Sequence, residues 1–211
     1  MKFVVTAGPT REHLDPVRFL SNPSTGKMGF AVAAEAARRG HDVTLVAGPV
    51  ALKTPGGVSR VDVVSARDMM REATRSARGA DILVATAAVA DWRPASCAKR
   101  KLKKSAMKPM VRLVRNPDVV KSVRGVRVKV GFAAETGDPV PEAVRKCREK
   151  GLALVVANDV TEPGSGFGTD TNRVVLVRPD GSVERLPLMS KRMVASRIVS
   201  AALRLAAVSD T

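Results

Sequence analysis

Short runs of aliphatic and β-branched residues recur along the chain, each followed by a stretch with helical spacing. This alternation limits the fold more than any other feature. The apolar runs fall at 2–6, 42–47, 61–64, 81–87, 128–134 and 152–157. Helical patterns occupy 27–39, 66–76, a short piece after Asn116-Pro117, and 139–150. Strands and helices alternating at this spacing build βαβ units and a parallel sheet. The strands are apolar almost throughout, so both sheet faces are covered. The end of the chain departs from the pattern. Segments 173–177 and 182–186 flank Pro179-Asp180-Gly181 and predict a β-hairpin. A closing helix is expected over 190–206, with Met193, Ile198, Val199, Leu203 and Leu205 at near-helical spacing. The expectation is an α/β fold, a mostly parallel sheet with helices on both faces and a C-terminal β-hairpin. No repeat or linker divides the 211 residues, so a single domain over 1–211 is expected.

Three long loops interrupt this regularity: 7–26, 91–110 and 158–172. Long loops in a compact domain are usually functional. All three leave the C-terminal ends of expected strands, where open α/β sheets bind ligands, so they should converge on one side. The net charge of +16 fits either nucleic acid or anionic substrates. Aromatic residues make up 3% with no Tyr, which removes the stacking platforms of single-strand and RNA binders, and no helix-turn-helix or zinc-finger pattern occurs. No nucleic-acid partner is expected. No apolar run is long enough for a membrane span, and the N-terminus reads directly into a strand rather than a signal peptide. Cys97 and Cys147 lack metal-ligand spacing. A cytoplasmic protein without membrane association is expected.

Four stretches carry chemistry. Thr6-Ala7-Gly8-Pro9-Thr10 and Ser21-Asn22-Pro23-Ser24-Thr25-Gly26-Lys27-Met28-Gly29 lie between the first strand and the first helix. Ser24 or Thr25 could cap that helix, and free N–H groups at its start suit a phosphate; a capped helix without a ligand fits the pattern as well. It is not a Walker A loop, because position 21 is Ser where Gly is required. Ala87-Ala88-Val89-Ala90-Asp91-Trp92-Arg93-Pro94 is a strand ending in a carboxylate. Asp91 could accept from a base or a ribose, bind a metal through water, or simply cap a turn. Lys99-Arg100-Lys101-Leu102-Lys103-Lys104, with Lys108 beyond, is a basic run of the kind that is often solvated or bound to nucleic acid. Its place after the Asp91 strand would also let a lysine reach a triphosphate. Lys146 and Lys150 lie four apart on the 139–150 helix, off its apolar stripe, as an exposed face would. No Ser/His/Asp or Cys/His set and no metal cluster is apparent. A nicotinamide-dependent reductase would want G-x-G-x-x-G after strand one and an acid ending strand two, which instead ends in Val46-Ala47-Gly48.

Taken together these segments resemble the phosphopantothenoylcysteine synthetase family, the phosphopantothenate–cysteine ligases of coenzyme A biosynthesis, in their bacterial CTP-using form. The matching pieces run from Thr6 to about Leu188: TAGPTRE, LDPVRF, SN, GKMG, VTLV, AAVADWR, K-x-KK, NPD, GFAAET, ANDV and GF-TD-N. The resemblance implies a Rossmann-like fold. It implies activation of the phosphopantothenate carboxylate by CTP through an acyl-cytidylate, followed by attack of the cysteine amine. It implies catalytic roles for Asn22 and for Lys101, the first lysine of K-x-KK. It implies CTP contacts from Ala85, Thr86, Ala87, Asp91, Lys101, Pro117, Asp118, Val119, Val120, Phe132, Lys146 and Lys150. Ser24, Thr25, Gly26 and Lys27 are our assignment for the phosphate of phosphopantothenate. Mg²⁺ bridging the phosphates is implied, its protein ligands left open. So are a homodimer, for which the C-terminal hairpin offers an edge, and a flavin-dependent decarboxylase domain, fused or separate.

Overall fold

The computed structural model describes residues 1–104 and 110–208; Lys108 of the basic run lies outside the described residues. In chain order the elements are β1 (Lys2–Ala7), β2 (Arg11–His13), β3 (Phe19–Ser21), α1 (Lys27–Arg38), β4 (Asp42–Ala47), β5 (Val58–Asp62) and α2 (Ala66–Ser76). Then come β6 (Ile82–Ala85), β7 (Trp92–Pro94), β8 (Leu113–Arg115), α3 (Val119–Ser122), β9 (Val128–Glu135), α4 (Val140–Lys150) and β10 (Leu154–Asp159). The chain closes with β11 (Thr171–Asn172), β12 (Val175–Val177), β13 (Val183–Arg185), β14 (Met189–Ser190) and α5 (Lys191–Val208).

Eight strands form one sheet in the order β13-β12-β10-β9-β6-β1-β4-β5. From β5 to β10 all neighbours are parallel; β12 and β13 add antiparallel at the β10 edge, as the expected hairpin. Side-chain alternation explains the layers. Phe3, Val5 and Ala7 face α1 and α5, packing with Phe30, Val32, Ala33, Val194 and Ile198. Val4 faces the other way, toward Met69 and Ala73 of α2 and Val119 of α3, while Ala143 and Cys147 of α4 cover Val155 and Ala157 farther along. Both sheet faces are therefore buried, which is why the central strands read as continuous apolar runs.

Several boundaries differ from the sequence expectation. The third parallel strand is Val58–Asp62 rather than 61–64. It is the sheet's edge, where polar residues are tolerated. There Arg60 pairs with Asp62, donates to the Leu52 carbonyl at 2.7 Å, and lies 5.3 Å over the Phe30 ring. The long loops also hold small antiparallel ribbons, β2 with β3, β7 with β8, and β11 with β14. Helix α1 is not capped by Ser24 or Thr25. Its N-cap is Gly26, at φ 79°, with no side-chain cap. The Ser24 hydroxyl instead accepts from the Gly26 N–H at 3.3 Å. A left-handed backbone at that position favours glycine. Helix α2, by contrast, has a complete capping box between Ser65 and Asp68. Among the described residues no helix is long and apolar enough to cross a membrane.

Candidate functional site

Numbered by position among the parallel strands, the sheet order is third, second, first, fourth, fifth, sixth. The chain leaves the first strand, β1, toward one edge and returns through β6 to build the other half. The two connections part company there and open a crevice beyond the carboxyl ends of β1 and β6, where such sheets bind ligands. A cleft of about 900 Å³ lies at that point. It is lined by Asn22, Ser24–Lys27, Ala85–Ala87, Asp91, Pro117–Val120, Phe132, Lys146 and Lys150. All the site residues expected from the sequence therefore meet on its walls except Lys101, which is exposed and does not line it.

Backbone and side-chain hydrogen bonds stitch the walls together. The Thr86 N–H and hydroxyl both donate to the Thr6 carbonyl, at 3.1 and 2.7 Å. The Ala88 N–H reaches Gly8 O at 2.9 Å, and the Ala90 N–H reaches the buried Thr10 hydroxyl at 3.0 Å. Asn22 Nδ2 donates to the carbonyls of Ala88 and Val89 at 3.1 and 3.3 Å. Asn116 closes the other side: its N–H donates to Asp91 O and its Nδ2 to Ala90 O, both at 2.8 Å. Asp91 is thus held at a fixed turn with its carboxylate exposed. Glycine sets the approach of α1 to these strands. A Cβ on Gly29 would stand 2.3 Å from Thr86 Oγ1 and 2.5 Å from Ala7 Cβ.

Several charges on the walls are paired. Lys146 Nζ lies 2.8 Å from Glu135 and 3.7 Å from Glu142, and Lys150 Nζ lies 2.9 Å from Asp118. Both ammonium groups turn into the cleft and not to an exposed helix face. Asp118 also caps α3, accepting from the Lys121 N–H at 3.0 Å. Its burial would raise its pKa, but the Lys121 N–H and the Lys150 ammonium hold it below the usual carboxylate range. Lys27 spans to the 158–172 loop, 2.7 Å from Asp170 and 2.9 Å from the Gly168 carbonyl. The contact with Lys27 keeps the Asp170 carboxyl low.

Sequence reasoning missed Lys191. This lysine is 7% exposed, lines the cleft, and donates to the carbonyls of Gly166 and Thr169 at 2.9 and 2.6 Å. Burial, with Lys27 adding repulsion, lowers its pKa. It opens α5, and the apolar spacing that predicted this helix carries no sign of a cationic clamp at its first residue. Asn116 was also missed as a tether, although it stands in the quoted Asn116-Pro117-Asp118 motif.

The chain matches the family model for the "DNA/pantothenate metabolism flavoprotein C-terminal domain" over residues 1–205. It is 46% identical over 200 residues to the "Coenzyme A biosynthesis bifunctional protein CoaBC" of Escherichia coli (strain K12), covering 92% of this chain and 49% of that protein. The chain spans about half the length of the curated relatives it matches. Among solved structures, the C-terminal domain of a CoaBC protein superimposes with a TM-score of 0.82 at 37% identity, covering 100% of this chain and 96% of that one. A Cab2 mutant in complex with phosphopantothenate-cysteine superimposes with a TM-score of 0.81 at 16% identity, covering 100% and 89%, a likeness of fold.

Proposed function

Because the chain belongs to the family of the DNA/pantothenate metabolism flavoprotein C-terminal domain, we propose that it joins phosphopantothenate to cysteine using CTP. The observation that carries this reading is the cleft over the strand crossover, where Asn22, Asp91, Lys146 and Lys150 meet. In the first half-reaction a carboxylate oxygen of phosphopantothenate attacks the α-phosphorus of CTP. An O–P bond forms, the bond to pyrophosphate breaks, and an acyl-cytidylate results. In the second, the cysteine amine attacks the acyl carbon, loses a proton, and CMP leaves. Neither step needs a nucleophile from the protein; positioning and charge neutralisation suffice.

The walls suit that division of labour. Lys146 and Lys150 exchange their carboxylate partners for the stronger anion of a triphosphate. The base lies against the small residues Ala85–Ala87, with Asp91 accepting from it or from the ribose. Asn22 donates to the oxyanion that forms at the acyl carbon, and Lys101 reaches in from the neighbouring basic segment to offset charge at phosphorus. The phosphate of phosphopantothenate sits at Ser24–Lys27, beside the uncapped start of α1. The reading implies Mg²⁺. Among the described residues no group of three or more His, Cys, Asp or Glu side chains could hold a metal ion. An ion entering with the triphosphate would supply charge neutralisation there.

Relatives bearing a bifunctional name are about twice as long as the match. The decarboxylase partner belongs in that remaining half, and a cytoplasmic setting follows from the same pathway. The protein pairs as a homodimer. Edge strand β13 ends the sheet but presents Glu184 and Arg185, the kind of charge that blunts an edge. The ribbons also expose Phe19 and Leu20 on β3 and Leu113 on β8, with Val17 and Val111 beside them, and we assign the dimer contact to these exposed apolar side chains.

Pyrophosphate release with each of the four ribonucleoside triphosphates, with and without phosphopantothenate and in the absence of cysteine, tests the reading. CTP should support release only when the acid is present. Equal or greater turnover with ATP overturns the CTP assignment and leaves the ligase class standing; no release with any nucleotide overturns both.

A further inference from the structure

Asp15 is a carboxylate with no exposed surface that does not line the cleft, and nothing in the mechanism so far uses it. Burying a carboxylate is costly unless its oxygens are fully satisfied, so what satisfies them is informative. Oδ1 accepts from the N–H groups of Val17 and Arg18, both at 2.9 Å, which folds the corner just before β3. Oδ2 accepts from Arg18 Nε at 3.1 Å and NH2 at 2.5 Å, and from the Leu102 N–H at 3.1 Å. Arg18 NH2 also donates to the Leu102 carbonyl at 3.0 Å. Farther back, the Ala98 N–H donates to Leu14 O at 2.9 Å.

Both backbone groups of Leu102 are therefore gripped by one ion pair, across 87 and 84 residues of chain. Leu102 is the middle of the basic segment Lys99–Lys104, which is exposed at every cation and carries regular structure only as a 3₁₀ turn at Lys104. The corner that grips it runs through β3 straight to Asn22 on the cleft wall. The Arg18 guanidinium outweighs burial and holds the Asp15 carboxyl well below the usual range, so the grip stays charged at any ordinary pH.

We propose that Asp15 is the positioning residue for the basic segment: gripping Leu102, it keeps the neighbouring Lys101 within reach of the nucleotide phosphates. Asp15 touches no substrate and acts through Lys101. The inference rests on the ligase reading above and on the role given there to Lys101.

A double-mutant cycle on pyrophosphate release with CTP and phosphopantothenate tests it, using Lys101→Gln, Asp15→Asn and the pair together. Lys101→Gln should slow release by about 10²-fold. Asp15→Asn should lower kcat about tenfold with KM for phosphopantothenate unchanged, as lost positioning does. The pair should be no slower than Lys101→Gln alone. Hydrogen exchange in Asp15→Asn should quicken at Ala98 and Leu102 and stay unchanged in the central strands, which separates a released segment from a damaged fold. Leu102→Pro removes the donated N–H while leaving the Asp15–Arg18 pair intact, and should reproduce the tenfold loss. Additive losses, a wild-type or faster rate in Asp15→Asn, or unaltered exchange at Leu102 would each overturn the proposal. A wild-type rate in Lys101→Gln removes the role of Lys101 and this proposal with it. Absence of release from the wild-type protein refutes the ligase reading itself.

Discussion

Asn22 is a residue with two demands on one amide. Its Nδ2 already donates to Ala88 and Val89, so it holds the turn that carries Asp91 while facing the cleft. Asp in its place keeps the shape, loses the donor, and sets a negative charge beside two carbonyl oxygens and a forming oxyanion. Asn22→Asp should therefore still make acyl-cytidylate from CTP and phosphopantothenate, but pass it to cysteine about 10²–10³-fold more slowly. Mass spectrometry of the quenched reaction should find the intermediate; a variant that makes no pyrophosphate would place Asn22 in activation or in holding the turn. Such roles are unevenly legible in a sequence. Asn22, Lys146 and Lys150 could be named only because their surrounding motifs resemble a family. Spacing alone put both lysines on an exposed face, because helical periodicity does not report that Glu135 and Asp118 stand opposite them. Lys191 and Asp15 went unread because their partners are mostly backbone groups, which every residue has and no pattern marks.

At the scale of elements, the parallel strands and the hairpin were legible because burial on both faces writes continuous apolar runs. Their order was not, since register and neighbours are set by distant pairing. The ribbons were missed for the opposite reason: three-residue strands such as Arg11–His13 are too short to show alternation. Helix α1 is the element most tightly fitted at the site. Gly29→Ala gains helix propensity of about 1 kcal/mol, yet its Cβ meets Thr86 Oγ1 at 2.3 Å and Ala7 Cβ at 2.5 Å. Overpacking of this kind costs about 1–3 kcal/mol, so the net effect should be destabilising, and a lowered urea midpoint with an unchanged slope would register it. The far end of α1 is pinned to α5 through Glu35. Arg38 and Arg39 both bond its carboxylate, and Arg39 goes on to Ser196 and Ser200 of α5. Chiefly through Arg38, the Glu35 pKa falls from 4.5 to about 2. A lowered folded-state value means the link stabilises fully above the unfolded value and is lost as acid approaches the folded one. Stability measured by denaturant should therefore fall between pH 4.5 and about pH 2, and Glu35→Gln should flatten that part of the profile.

For the whole molecule, the exposed apolar ribbons lead to a prediction about assembly. Light scattering at micromolar concentration should give about twice 22.3 kDa, and Leu20→Asp should return the mass to that of one chain. A single-chain mass for the unaltered protein would count against the pairing. The side-chain grips on main-chain carbonyls have another consequence. Asn22, Asn116, Arg18 and Lys191 all take hold of main-chain carbonyls, at Ala88, Val89, Ala90, Leu102, Gly166 and Thr169. A carbonyl is common to all twenty amino acids, so each grip constrains the residue that reaches and by itself asks nothing of the side chain at the residue reached. Gly166 is the exception, since its φ of 89° and a Cβ position 3.2 Å from Val160 Cα exclude a side chain. At half-buried Ala88, Val89, Leu102 and Thr169 lineages can revise side chains one at a time while the architecture around them stays closed, and selection for a new nucleotide or acid would find its raw material there.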